Sequence, residues 1–347
     1  MYFIFALIAL LSWSGSDLFS KTGTSQKDKF SHWKVIFAVG VIMGLHAVLC
    51  LIISPFLPEI PQVFSEEEGE MVDNPEWWRT VIYTDFKPFD FVQYLPVAAI
   101  YLAAMVVGYA GLRYIELSVS SPICNSSGSL ALLICVIIGW ATLDAWTAVG
   151  VILITAGIIM LGVVEYREDD KIKLMRQDKS NFKYTKSLIA ILIPVIYLVM
   201  DALGTVGDQM IAELELFDIS DYASNTAYEF TSVLFAVVAF CWVKFVKREK
   251  FFTFGETAEN GEGNALAAKT LRKNLIFGGI CETIGQMFYM AVMFSDFKAG
   301  MPMISAYCVA SVLWSRIFLK EKLSLKHYIA IFATFAGIIL LGIFSPV

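Results

Sequence analysis

Stretches of about twenty mostly apolar residues recur along this chain, and no other feature limits its fold so tightly. A helix needs roughly 20 such residues to cross the hydrocarbon of a bilayer. A soluble domain also needs polar residues to cover its surface. Here 57% of the 347 residues are hydrophobic and 17% are charged, so lipid must cover what polar groups do not. Ten segments are legible, at 2–20, 33–54, 91–112, 122–140, 145–164, 187–209, 226–246, 275–294, 299–318 and 325–343. Several are apolar on all faces, as expected where one side meets lipid and the other meets neighbouring helices. The first lacks a basic leader and a small-residue cleavage site, so it is expected to be a retained helix rather than a signal peptide.

Orientation follows from the basic residues, which resist translocation and collect on the cytoplasmic side. Alternate connections carry 23 Lys and Arg against 3, which places both termini outside the cytoplasm and predicts a multi-pass protein of the cell membrane. Three connections are long. Residues 55–90 hold nine acids and a proline-broken stretch, followed by Trp77, Trp78 and Tyr83, which read as a segment lying at the membrane surface. Residues 165–186 are dense in both charges and read as a cytoplasmic linker. Residues 247–274 read as a flexible, solvated excursion.

An internal repeat appears when the chain is shifted by 180 residues. TAGIIMLG at 155–162 then meets FAGIILLG at 335–342, Pro122 meets Pro302, Tyr109 meets Tyr289 and Leu143 meets Leu323, without a gap. The third to fifth segments thus resemble the eighth to tenth. With an odd number of spans per half, the second copy must be inverted across the membrane, a recurrent plan of secondary transporters. The expected fold is an all-α membrane protein of ten transmembrane helices in two inverted five-helix repeats. Residues 1–164 form one half, 165–186 the linker and 187–347 the other half.

With these motifs the chain resembles the EamA-like branch of the drug/metabolite transporter superfamily. The first segment ends SWSGSDLFSK, similar to that family's W-G-S…K pattern, with a serine between Trp13 and Gly15. Glu321 and Leu323 stand where the family has an E-x-L turn before a glycine-bearing last helix. The corresponding turn of the first half, WATLDAW, lacks the glutamate. The resemblance implies two halves rocking about a central cavity and transport of amino acids, drugs, sugars, nucleotide sugars or other metabolites.

Candidate site residues are ionisable or polar groups deep in apolar segments, where a charge costs roughly 2.5–3.5 kcal/mol and therefore needs a reason. Asp201 and Asp208 are seven apart on nearly one helical face, and Glu282 and Gln286 share another. Asp201 and Glu282 are expected to bind protons or a cation. Asn125, Gln286 and the repeat-paired Tyr109 and Tyr289 are expected to contact substrate, and Trp13, Asp208 and Tyr307 complete the set. Asp17 and Glu229 lie nearer segment ends, where snorkelling to water competes with function. Gly40 and Gly44 form G-x-x-x-G, expected to pack within the bundle, with a homodimer left open.

The six cysteines lie in apolar runs without metal-ligand spacing, three scattered histidines form no metal site, and no nucleotide-binding or hydrolase motif is present. The net charge of −6 excludes a generally basic nucleic-acid binder. The expected function is a secondary transporter without a cofactor and not an enzyme, moving a small polar metabolite such as an amino acid or amine, with protons as a candidate co-substrate. The alternatives are a sugar or nucleotide-sugar carrier of the same fold, or a membrane enzyme or lipid-handling protein. Cysteines introduced at Ser180 and Glu67 should label oppositely with an impermeant reagent on intact cells, Glu67 from outside. The reverse pattern would overturn the orientation.

Overall fold

The computed structural model describes all residues except 1, 25–27, 59–61, 65–70, 74–76, 141–144, 168–187, 215, 253–260, 294–303, 305–306, 322 and 345–347. Twelve helices are described: α1 Tyr2–Gly23, α2 Ser31–Ile53, α3 Trp77–Ile82, α4 Pro88–Gly111, α5 Leu117–Cys124, α6 Ser127–Ile138, α7 Ala145–Arg167, α8 Leu188–Glu213, α9 Asp221–Cys241, α10 Gly261–Met293, α11 Tyr307–Trp314 and α12 Leu325–Phe344. The described fold is helical apart from a hairpin of three-residue strands, Gln62–Phe64 against Met71–Asp73, with Val63 opposite Val72. Most of the linker at 165–186 lies outside the described residues, as do Pro302, Ser305 and Leu143.

Seven helical stretches are long and apolar enough to cross a membrane, among them Phe3–Gly23, Leu117–Ile138 and Lys269–Val292. Three shorter apolar helices cover Ala148–Leu161, Tyr307–Leu319 and Leu325–Leu340. These helices carry exposed side chains that water would not tolerate in such number: Leu45, Ile152 and Phe332 are 65%, 65% and 70% exposed. An apolar outer surface on this scale belongs in lipid.

Several boundaries differ from the sequence reading, each for a local reason. The α4 helix begins at Pro88, where proline's missing N–H costs nothing, and the Asp90 carboxylate accepts the Lys87 N–H at 2.7 Å. The α9 helix begins at Asp221 rather than 226, because the Ser220 hydroxyl accepts the Ala223 N–H at 3.0 Å and caps it. The α10 helix reaches back to Gly261, so half of the expected excursion at 247–274 is helix. Its Ala, Leu, Lys and Arg residues are strong helix formers without being apolar. The fourth segment starts at Leu117 and breaks at Asn125–Ser126, so Pro122 lies inside α5 instead of opening the helix. There the Ser126 hydroxyl donates to the Pro122 carbonyl at 2.7 Å. The surface-seeking aromatic segment becomes α3, a short helix docked against α2 and α10.

Packing is dominated by antiparallel pairs: α1 with α10, α2 with α9, α4 with α8, and α7 with α12. The α5 helix lies against α8 and α11, and α11 lies against α1. Close approach at glycines sets the pairs. A Cβ on Gly40 would sit 2.2 Å from the Ser232 carbonyl oxygen, and one on Gly44 would sit 2.2 Å from Val233, so the G-x-x-x-G face is spent inside the molecule. In the α7/α12 pair a Cβ on Gly157 would meet Thr334 and Ala330, while one on Gly337 would meet Ile154 and Gly150. The two contacts exchange when 180 is added to or subtracted from each number. Gly157→Leu should therefore force α7 from α12 and cost about 1–3 kcal/mol. Gly128, with nothing within 4 Å of its Cβ position, should accept Ala without loss. Thermal unfolding of the two variants in one detergent checks the contrast.

Candidate functional site

A cavity of about 870 Å³ lies between these helix pairs. Its mouth is at the α8–α9 connection, where Phe217, Asp218 and Asp221 are exposed. Its far end stops at Leu112 and Leu117, both buried. All nine residues singled out in the sequence line this cavity: Asp201 and Asp208 from α8; Glu282, Gln286 and Tyr289 from α10; Trp13 from α1; Tyr109 from α4; Asn125 after α5; and Tyr307 from α11.

The walls are built by the same close approaches that pair the helices. Gly204 and Gly207 let α8 press onto α4, against the rings of Tyr101 and the side chain of Val97. That contact holds Tyr94 and Tyr101 over Asp208, to which their hydroxyls donate at 2.6 and 2.7 Å. Gly285 admits the indole of Trp13, where a Cβ would come within 2.4 Å. The indole also packs against Tyr289 and Tyr307, with ring centroids 5.2 and 5.8 Å away. Gln286 donates to Asn225 of α9 at 2.8 Å. Asp201 accepts the Ser127 hydroxyl at 2.5 Å, at the N-terminus of α6.

Asp17, for which snorkelling and function compete in the sequence, is part of this wall. Its Oδ2 accepts the hydroxyls of Ser121 and Ser311, each at 2.7 Å, and so ties α1 to α5 and α11. Tyr94, Tyr101, Asn225 and Tyr228 were also missed. Their signal was present: Tyr94 and Tyr101 repeat every seven residues, as Asp201 and Asp208 do, and Asn225 and Tyr228 stand three apart. Glu229, for which snorkelling and function compete in the sequence, is 1% exposed. It meets His46 Nδ1 at 2.8 Å, while His46 Nε2 contacts the Val81 carbonyl at 2.8 Å. That carbonyl only accepts, so Nε2 carries a proton. One further proton is then shared between Nδ1 and the Glu229 carboxylate, and the pair stays neutral overall. The chain Gln286–Asn225–Glu229–His46 connects the cavity wall to α3.

The closed end is polar beneath its leucines. Lys21, fully buried, donates to the carbonyls of Leu112 and Ile115. Glu321 accepts the backbone N–H groups of Leu117 and Ser118, both at 3.1 Å, and the Ser118 hydroxyl at 2.7 Å. A carboxylate there satisfies N–H groups that the first turn of α5 leaves unpaired. Lys21 and Glu321 are the residues of the W-G-S…K and E-x-L patterns, and in this fold they hold the backbone at Leu112 and Leu117, which line the cavity.

Six carboxyl groups line the cavity, and among its described lining residues there is no lysine, arginine or histidine. Among the described residues no group of three or more His, Cys, Asp or Glu side chains could hold a metal ion. The arrangement is suited to binding through hydrogen bonds, charge and aromatic faces. No family model matches the chain, and no curated protein matches it. A solved structure described as "Crystal structure of protein" is similar to it at 13% identity, covering 97% of this chain and 94% of that one, with a TM-score of 0.46.

Proposed function

We propose that this chain is a ten-span secondary transporter of the EamA-like kind, built from two inverted halves, which carries a small polar solute across the cell membrane by alternating access. The observation that carries the proposal is a cavity lined by acids and aromatic rings and walled by helices from both halves, whose exposed lining residues, among those described, all lie at the α8–α9 connection. Its closed end is held by residues of both halves, Lys21 on one and Glu321 on the other. A carrier caught with one gate open has this form, whereas a channel would be open at both ends.

The inverted repeat is supported by reciprocal contacts. Exchanging the halves converts the pair α1/α10 into α8/α4, maps the pairs α2/α9 and α7/α12 onto themselves, and keeps each antiparallel. The Gly157 and Gly337 contacts interchange under the 180-residue shift. Gly15 against Cys281 and Gly204 against Tyr101 interchange as well, with Tyr101 and Cys281 differing by 180 and the two glycines by 189. That second shift is the counterpart for the first segment that sequence comparison alone did not provide. With the termini outside the cytoplasm, the open mouth faces outward and the Lys21–Glu321 end faces the cytoplasm.

The acids supply the coupling. While water fills the cavity, their charges are solvated. Closing the mouth expels water, and a charge enclosed among apolar helices is then costly unless a proton or a positive group neutralises it. The loaded carrier can therefore close and the empty charged one cannot, so binding biases the equilibrium between the two forms. In proteoliposomes, Asp201→Asn and Glu282→Gln should fold and yet lose uptake, by about tenfold or more, or lose its response to an imposed pH gradient. Normal uptake by both variants with an unchanged pH response would make these acids structural and this mechanism wrong.

A further inference from the structure

The cavity also points to a particular class of solute, an inference that rests on the transport reading above. We propose that it takes a linear organic polycation, an alkyl chain bearing at least two separated ammonium groups.

Charge makes the first selection. Buried carboxylates require compensation, and the described lining residues contain no base to supply it. Where a proton does not supply it, the compensating charge has to come from the solute. An anion is excluded on the same ground. A zwitterionic amino acid would need a partner for its carboxylate. The helix N-termini that open on the cavity are already met by acids, α6 by Asp201 and α9 by its own Asp221. A bare metal cation would need several oxygen ligands converging on one point. Among the described residues no group of three or more His, Cys, Asp or Glu side chains is placed to hold one.

Aromatic faces make the second selection. Seven tyrosines and Trp13 line the same space, and such faces attract ammonium groups while packing well against alkyl chain. A proton or a hydrated inorganic ion would use neither property, nor a volume of about 870 Å³. A neutral sugar would use the rings and hydroxyls but would leave the carboxylates uncompensated.

The spacing of the acids gives the length. Asp208, under Tyr94 and Tyr101, forms an outer position. Asp201 lies seven residues nearer the closed end of α8, about 10 Å deeper along the helix. Asp17 lies one turn above Lys21 at that closed end, and Glu282 sits beside it on the antiparallel α10. A single ammonium can occupy one position, whereas a chain with two can occupy both.

The test uses the purified full chain in nanodiscs, titrated with spermidine, N-butylamine, glutamate and sorbitol while thermal unfolding is followed. Spermidine should raise the unfolding temperature at concentrations about tenfold below those of N-butylamine, the difference expected for one charge-assisted hydrogen bond. Asp208→Asn, or Tyr94→Phe if the first fails to fold, should bring the concentration needed for spermidine towards that for N-butylamine. Stabilisation by glutamate or sorbitol without spermidine, equal effects of the two amines, or no stabilisation by any of the four would overturn the assignment. Proteoliposomes loaded in parallel separate the two readings. Spermidine that binds but is never taken up contradicts transport and leaves the solute class standing. Uptake of glutamate or sorbitol with no spermidine binding does the reverse.

Discussion

Carboxyl groups enclosed among apolar helices, in a cavity whose described lining residues include no base, set the terms for the rest of this molecule. Asp17, Asp201, Asp208 and Glu282 cannot face lipid at tolerable cost, so the helices must surround a water-accessible space. The serines and tyrosines follow from the same need. Ser121 and Ser311 hold Asp17, Ser127 holds Asp201, and Tyr94 and Tyr101 hold Asp208. Each donor fixes the orientation of an acid without cancelling its charge. By contrast, Glu229 is matched by His46, and Glu321 by the amides of α5. These two acids are matched within the protein, while under the proposed function the others remain for a solute.

Glycine decides where such a space can exist. Helices that approach to backbone contact on one side leave room on the other. Gly204 on Tyr101 and Gly285 on Trp13 each press a large ring into the cavity wall. Gly157 and Gly337 perform the same task on the far side of the bundle, locking α7 to α12. The rigid pairs are thus made where side chains are smallest. Their reciprocity supports a structure in which two similar halves tilt against each other. The contacts broken and formed by tilting would lie at the two ends of the cavity, not within the pairs.

Much of this was legible in the sequence, for identifiable reasons. The price of an apolar span is paid residue by residue, so segment positions and the unusual acids within them stand out. Asp201, Asp208, Glu282 and Gln286 could be found because charge in an apolar run is conspicuous. For Asp17 the sequence leaves snorkelling and function in competition, because depth along a helix says nothing about which neighbours surround it. Two serines from distant segments make it a wall residue. Tyr94 and Tyr101 went unnoticed because tyrosine is ordinary in membrane helices, and only their shared face over Asp208 sets them apart. The break after Cys124 and the early starts of α9 and α10 depended on caps and helix propensity, which apolar pattern does not register.

The account stands or falls on whether opening one end of the cavity closes the other. Spin labels at Phe3 and Asp218 would report the mouth, and labels at Thr22 and Tyr114 the end held by Lys21. Replacing Lys21 by alanine removes the donor to Leu112 and Ile115 and should shift the population towards the form open at that end. Distance distributions from pulsed electron resonance should then show the Thr22–Tyr114 pair moving apart and the Phe3–Asp218 pair moving together. A Thr22–Tyr114 distance that lengthens while the mouth stays as it was, or no change at either end, would contradict alternating access.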